Sequence, residues 1–491
     1  MTGYENLTHP IAFLGFMLTL ILPIFVGFLT YRRMKNESDF FLGGRTMDRI
    51  VVALSAVSSG RSSWLVLGVS GMAYTRGIGA VWAILGYSLV ELVQFLTIGY
   101  RLRRETGKWG SITLLDYFES RFQDRKNLVR GIGALIIGIF LTAYVAAQLN
   151  AGAKSLTTAL DIPLLGSLFL CTVFILIYMI LGGFIAVAYN DVLRAVIMIF
   201  GLCILPLIGL IHLSGFKMLF QILKGLDPKT MDVFSIGVGG ILGFFGIGLG
   251  SPGQPHILVR YMAIDDPKKL KTSAWVGTFW NITMGLGAVM IGLLGRAVIP
   301  DAQQLPKGDP EMIYLVLSSK YFGPILYGIL IGGIFAAILS TVDSQLLVVA
   351  STVVRDCYEK IWRKELPLTE SQKLHLSRWV VFFSGVVSIV LAYFAKEIIF
   401  WLVLFAWGGL GASIGPALIF SLYWKSTTKY GVIAGMITGT LVTFIWRLWL
   451  KSVTGLYELI PAFFLSCIAI VVVSRVTQSR MRQIEEIKNA H

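Results

Sequence analysis

The sequence predicts an all-α membrane protein of many spans, on three observations. The composition is 56% hydrophobic and 14% charged, and the mean hydropathy is +0.75, a balance that soluble chains of this size do not carry. Apolar runs of roughly 20 residues, enough to cross a hydrocarbon core, recur along the whole chain. Two of the runs are interrupted in the middle. The break in 50–73 is Ser58-Ser59-Gly60-Arg61-Ser62-Ser63, and the break in 235–262 runs from Gly246 to Pro255. Glycine releases a helix and proline removes a backbone donor. Irregular backbone at membrane depth is tolerated only where protein buries it or it lines a wet cavity. Two such spans, set well apart, are the mark of a carrier with inverted repeats and a binding site at the breaks. The plainer alternative, a kink with Arg61 snorkelling to the headgroups, is disfavoured by the cost of a charge at midplane.

The spans follow in order. Residues 11–30 form the first, followed by the basic Tyr31–Lys35, the reverse of a secretory signal's charge order. Next come the broken span 50–73 and a third at 78–100, and a basic loop fills 101–130. Spans at 131–156, 164–185 and 192–213 lead to an outer loop and the second broken span. Further spans fall at 274–298, 322–352, 379–396, 398–423, 430–450 and 457–474, with a charged loop at 355–378 and a short polar tail. This gives about thirteen spans. Most of the 42 Lys and Arg fall in loops that place the N-terminus outside and the C-terminus in the cytoplasm of a cell (inner) membrane. The same bias explains the net charge of +15 without nucleic acid.

Several classes are excluded. No Walker sequence or potassium-filter signature is present, and no soluble catalytic domain fits, so neither an ATP-driven pump nor an enzyme is expected. The four cysteines and five histidines show no metal-ligand spacing, and no cofactor is expected. Gly411 with Gly415, and Gly431 with Gly435 and Gly439, are spaced for close helix contact.

The segments Asp39–Arg45, Gly253–Arg260, Ala336–Leu347 and Gly415–Gly439 carry a resemblance that extends over nearly the whole chain. The chain resembles the solute:sodium symporters, and within them the proline carriers. The resemblance implies a LeuT-type fold of two inverted five-helix repeats, at 48–213 and 235–423. Residues 1–47 then hold a first helix and a cytoplasmic loop, 214–234 an outer loop, and 424–491 two extra helices and the tail. It also implies alternating access driven by a cation gradient, with a small solute and sodium as cargo and the bilayer as partner.

Matched position by position, the resemblance assigns sodium to the carbonyls of Ser58, Arg61 and Ala337 and the hydroxyls of Ser340 and Thr341. Ala337, Ser340 and Thr341 share one helix face. A possible second cation site matches Asp191, Asp343 and Ser344. Substrate-linked positions are Ser62, Trp64 and Tyr144, with Ile247, Ser251, Gln254 and Pro255 at the second break; Trp82 also matches. The chain departs from the pattern at four points. Ile247 and Ser251 replace an aromatic pair, which points to a roomier or more polar pocket than proline needs. Gly60 replaces an aspartate, Arg61 an apolar residue and Asp343 a serine. An Arg61–Asp343 ion pair is expected, because pairing offsets the cost of a midplane Arg. Glu91, also inside the membrane, is expected to be paired, protonated or wet, and is a possible proton site. The leading expectation is sodium-coupled symport of an amino acid such as proline or of an organic acid. The alternative is a sodium-independent or proton-coupled carrier in which Arg61 substitutes for the cation. A membrane sensor or channel is a third class, disfavoured by the short tail.

Overall fold

In the computed structural model the described residues are 10–31, 37–160, 162–363, 368–394 and 399–489. The basic segment 32–36 and residues 1–9, which entered the orientation argument, lie outside them. Among the described residues the chain is helical, with one isolated parallel bridge between Met47 and Ile264. Nine of these helical stretches are long and apolar enough to cross a membrane, and the shorter apolar helices Ile11–Val26, Leu164–Val173 and Gly237–Gly253 accompany them.

Helix starts are set by local chemistry. Asp48 accepts from the Ile50 N–H at 2.8 Å and caps the Arg49–Ser63 helix. Pro255 and Pro324 open helices, where a missing N–H costs nothing. Thr113 and Asp116 form a reciprocal capping box on Leu114–Phe122.

Three expected loops are helical instead. Spans expected at 164–185 and 192–213 form one run, Leu164–His212, in which Gly183 (φ 56°, ψ −168°) is the non-helical residue. Glycine alone takes that conformation without strain, so one residue does the work of a loop. The Pro324–Ser351 helix continues as a π-helical stretch, Thr352–Trp362, and its neighbour starts at Glu370 rather than 379. Their charges mimic a loop in the sequence, but several of them are paired. Arg130 bridges Asp116 at 2.9 Å and also contacts Glu119 and Asp356. Arg355 joins Glu37 at 2.7 Å and Asp116 at 2.8 Å. The outer loop likewise holds an amphipathic helix, Phe216–Leu226.

The Pro324–Ser351 helix is the core. It is apolar on nearly every side, as a fully enclosed helix must be. It packs on Pro10–Tyr31, Leu128–Leu160, Leu164–His212 and Arg49–Ser63. Against Ile399–Tyr423 the second break packs backbone to backbone. A Cβ at Gly253 would stand 2.4 Å from the Leu410 carbonyl oxygen, and one at Gly411 would stand 2.4 Å from the Gly250 Cα. Gly431 and Gly435 approach Ser474 and Ile470 as closely, and Gly439 approaches the Ala412 carbonyl.

Candidate functional site

The first broken helix holds Ser62 at φ 51°, ψ −171°, a conformation that is essentially glycine's own. Strain of about 1–3 kcal/mol is typical of such a residue and persists only where its surroundings over-determine it. Here the Ser62 hydroxyl accepts from the Trp64 N–H at 3.2 Å and bonds to Tyr144. Gln148 adds a second clamp, accepting from the Ser63 N–H at 3.0 Å and its hydroxyl at 2.9 Å.

The break frees carbonyls, and the Pro324–Ser351 helix meets them. Ser340 Oγ donates toward the Ser58 carbonyl at 3.1 Å and the Ala337 carbonyl at 3.0 Å. Thr341 Oγ1 donates toward the Ser59 carbonyl at 2.9 Å and the Ala337 carbonyl at 3.2 Å. Ser58, Ala337, Ser340 and Thr341 are thus brought together, fully buried, with Ser59 added. The Arg61 carbonyl instead accepts from the Trp64 N–H. Clustered oxygens of this kind suit a hard cation.

The residues of the expected second cation site are held by arginines. Asp191 accepts from Ser55 Oγ at 2.6 Å, Ser59 Oγ at 3.0 Å and Arg260 Nη2 at 3.1 Å. The same Arg260 guanidinium donates to Ser55, Ser59, Ser344 and the His256 carbonyl. Arg194 bridges Asp343 at 2.6 Å and Asp191 at 3.6 Å. All four charged side chains are about 1% exposed or less.

Arg61 does not meet Asp343. Its guanidinium pairs with Glu91, donates from Nε to Asn281 Oδ1 at 2.7 Å and lies 3.8 Å from the Tyr87 ring centroid. Asn281 closes the triangle, donating to Glu91 at 2.5 Å. The helix period explains the difference. Asp343 sits two residues past Thr341, about 200° around the helix, and so faces Arg194. Glu91 is paired, as expected for a carboxylate within an apolar span, by a partner that the sequence did not single out for it.

A narrow cavity adjoins both breaks. Gly60, Arg61, Trp64 and Tyr144 line one side, and Ile247, Val403, Leu404 and Trp407 the other, around about 10 Å³, room for roughly one water. Trp64 is wedged between Tyr87 and Phe400, with centroids 5.8 and 5.6 Å away. Trp407 donates to the Ile247 carbonyl at 2.8 Å, and Gln254 bonds the Gly250 and Trp407 carbonyls at 3.0 Å, fixing the second break. Ser251 lies outside the lining, 3.5 Å from Glu91, and Pro255 lines a separate cavity with Arg260 and Ser344. The wall is therefore more apolar than the departures at Ile247 and Ser251 suggest. Trp82 lies outside the lining, bonded to the Val233 carbonyl at 2.9 Å. Arg194, Arg260, Asn281 and Trp407 were not read as site residues. Arg260 alone carries a signal in the sequence, a charge near the end of a broken span.

A membrane carrier with two broken helices, buried hard oxygens at one break and a narrow cavity beside both is a secondary transporter. The profile of the Sodium:solute symporter family matches residues 40–439. The chain belongs to that family and is a sodium-coupled symporter of a small solute. The high-affinity proline transporter PutP of Bacillus subtilis (strain 168) is 36% identical over 458 residues, covering 93% of this chain and 96% of that protein. The sodium/proline symporter of Staphylococcus aureus (strain COL) is 35% identical over 468 residues, covering 93% and 91%. Among solved structures, a substrate-bound, outward-open sodium-coupled sialic acid symporter superposes with a TM-score of 0.80 over 95% of this chain and 98% of that one. At 18% identity, that likeness speaks to the fold.

Proposed function

We propose that the protein moves one sodium ion together with one small organic solute, an amino acid of the proline kind or an organic acid, by alternating access across the cell membrane. The observation that carries this reading is the reach of Ser340 and Thr341 to the Ser58 and Ser59 carbonyls at 3.1 and 2.9 Å. Sodium entering there takes over the carbonyl lone pairs that the hydroxyl protons now occupy. Ala337 completes the set, and the Ser59 carbonyl replaces that of Arg61 in the proposed ligation. Asp191 and Asp343 are neutralised by Arg194 and Arg260, which supports a single sodium. Glu91 serves as the counter-charge of Arg61 rather than as a proton carrier.

The proposed topology has thirteen spans, with Gly183 dividing Leu164–His212. A continuous helix of 49 residues would be about 74 Å long, against a hydrocarbon core of about 30 Å. The inverted repeats take 48–213 and 235–423, each opening on a broken helix, with the N-terminus outside.

The competing reading makes Arg61 a tethered cation in a sodium-independent carrier. Its guanidinium lies on Glu91 and Asn281 rather than on the Ser340–Thr341 cluster, which weighs against that. The test is uptake of labelled proline and of labelled organic acids into liposomes holding the purified protein. Uptake is expected under an inward sodium gradient at constant pH and not under a proton gradient in choline. Equal uptake in both refutes sodium coupling.

A further inference from the structure

Arg61 lines the solute cavity while its counter-ion does not. Glu91 lies behind the helix break, with Oε1 3.6 Å from where a side chain on Gly60 would begin, and is absent from the cavity wall. Gly60 thus leaves the Arg61–Glu91 contact unobstructed from behind and keeps the wall thin. A guanidinium has five N–H donors. Asn281 accepts from Nε and, at a long 3.4 Å, the Gly60 carbonyl accepts from Nη1, while Glu91 lies against Nη2 as a charge contact. The other two have no acceptor among the described residues, on a side chain only 1% exposed. Nη2 in particular touches Glu91 without a well-aligned hydrogen bond. A buried group in that condition is a recognition group waiting for an acceptor.

Charge decides what that acceptor is. Arg61 and Glu91 cancel, and the single cavity-lining ion is the cation. A carboxylate entering with sodium forms a neutral pair of cargoes, so nothing is left uncompensated in a low-dielectric site. An ammonium on the same solute would bring one further positive charge. Among the described residues, no Asp or Glu lines the cavity to balance it. The rest of the wall, with Trp64, Ile247, Leu404 and Trp407, suits a compact apolar body.

We propose that the solute is a small monocarboxylate without an amine, and that Arg61, backed by Glu91 and Asn281, is the residue that selects it. This rests on the symport reading above and narrows its solute class.

The test is thermal stabilisation of the purified protein by three matched sets of probes in saturating sodium. The sets are monocarboxylates (propionate, L-lactate, 2-tetrahydrofuroate), their amides, and the zwitterions L-alanine and L-proline. At least one amine-free carboxylate is expected to bind about tenfold or more tighter than its amide and than its zwitterionic counterpart, the worth of one charge-assisted bond. Arg61→Met alone strands Glu91 and risks misfolding, so the decisive variant is Arg61→Met with Glu91→Gln, which keeps the site neutral. That variant is expected to lose the preference for carboxylate over amide. The proposal is overturned by a zwitterion that binds tightest, by an amide that matches its acid, by a panel in which no carboxylate binds, or by a folded double variant that keeps the preference. Repeating the panel in choline separates the two readings. Carboxylate selectivity that survives without sodium removes the coupling and leaves the role of Arg61 intact.

Discussion

Replacing Arg260 by Met is expected to add a second sodium to the single one proposed above. In the native chain Asp191, Asp343, Arg194 and Arg260 form a buried set of zero net charge, and Arg260 occupies the space between Asp191, Ser59 and Ser344. Methionine keeps much of the volume and leaves the set at −1, with a carboxylate and two hydroxyls facing the vacated position. Breaking a buried ion pair costs about 3–5 kcal/mol, so the variant should be markedly less stable in choline. In sodium it should recover. A site filled to 100 times its Kd returns about 2.7 kcal/mol, most of the loss. The slope is the sharper readout. Above saturation each site adds about 1.4 kcal/mol of stability per tenfold rise in sodium. The native protein should therefore show a slope near 1.4 kcal/mol per decade, and Arg260→Met a slope near 2.8. The assay is thermal unfolding in detergent across sodium concentrations, with choline holding ionic strength constant. Arg260→Met combined with Asp191→Asn restores neutrality and should return to the lower slope. A native protein that already shows the doubled slope, or a folded Arg260→Met that keeps the single one, refutes the reasoning.

Two further outcomes are expected. Ser340→Ala with Thr341→Val removes both hydroxyls from the oxygen cluster; the sodium concentration for half-maximal uptake should rise about tenfold or more, the cost of losing about 1.4 kcal/mol of binding, and an unchanged value rejects the site. On the Leu114–Phe122 helix, burial works against ionising Asp116, but Arg355 and Arg130 outweigh it and hold the carboxyl below its ordinary 3.8. A carboxyl depressed in the folded state stabilises above its unfolded value, and that contribution is lost as pH falls through the folded one. Native stability should therefore fall more steeply below about pH 4 than that of Asp116→Asn; parallel melting curves across that range show that Asp116 does not govern the acid limb.

The parts of the fold legible in the sequence were those with a local cause. Gly, Ser and Pro at midplane located both broken helices, because backbone freedom and missing donors are properties of the residues themselves. The one-face spacing of Ala337, Ser340 and Thr341 was legible for the same reason. Charge partners were not. Asp343 is two residues from Thr341 in sequence but looks away from it, and only the neighbouring helix decides that it meets Arg194. Asn281 sits in an apolar span with no local mark, and it becomes a site residue only where three helices converge on Glu91 and Arg61. The stretch Thr352–Trp362 reads as a loop because its charges are dense, yet it is helical because Arg130 and Arg355 pair the carboxylates around it.

The contact between the second break and the Ile399–Tyr423 helix also bears on movement. Helices that interlock by ridges and grooves must climb out of register before one can slide past the other, and each step forfeits packing. At Gly250 against Gly411, and Gly253 against Leu410, two backbones lie together, and Trp407 reaches across to the Ile247 carbonyl. Such a surface has few teeth. Once the Trp407 and Gln254 bonds release, it is expected to work as a plain bearing, along which the half-helix carrying Ile247 and Ser251 shifts by small amounts without unpacking. The same closeness sets its tolerance: one methyl group, as in Gly250→Ala, would jam the bearing against the Trp407 indole 2.1 Å away.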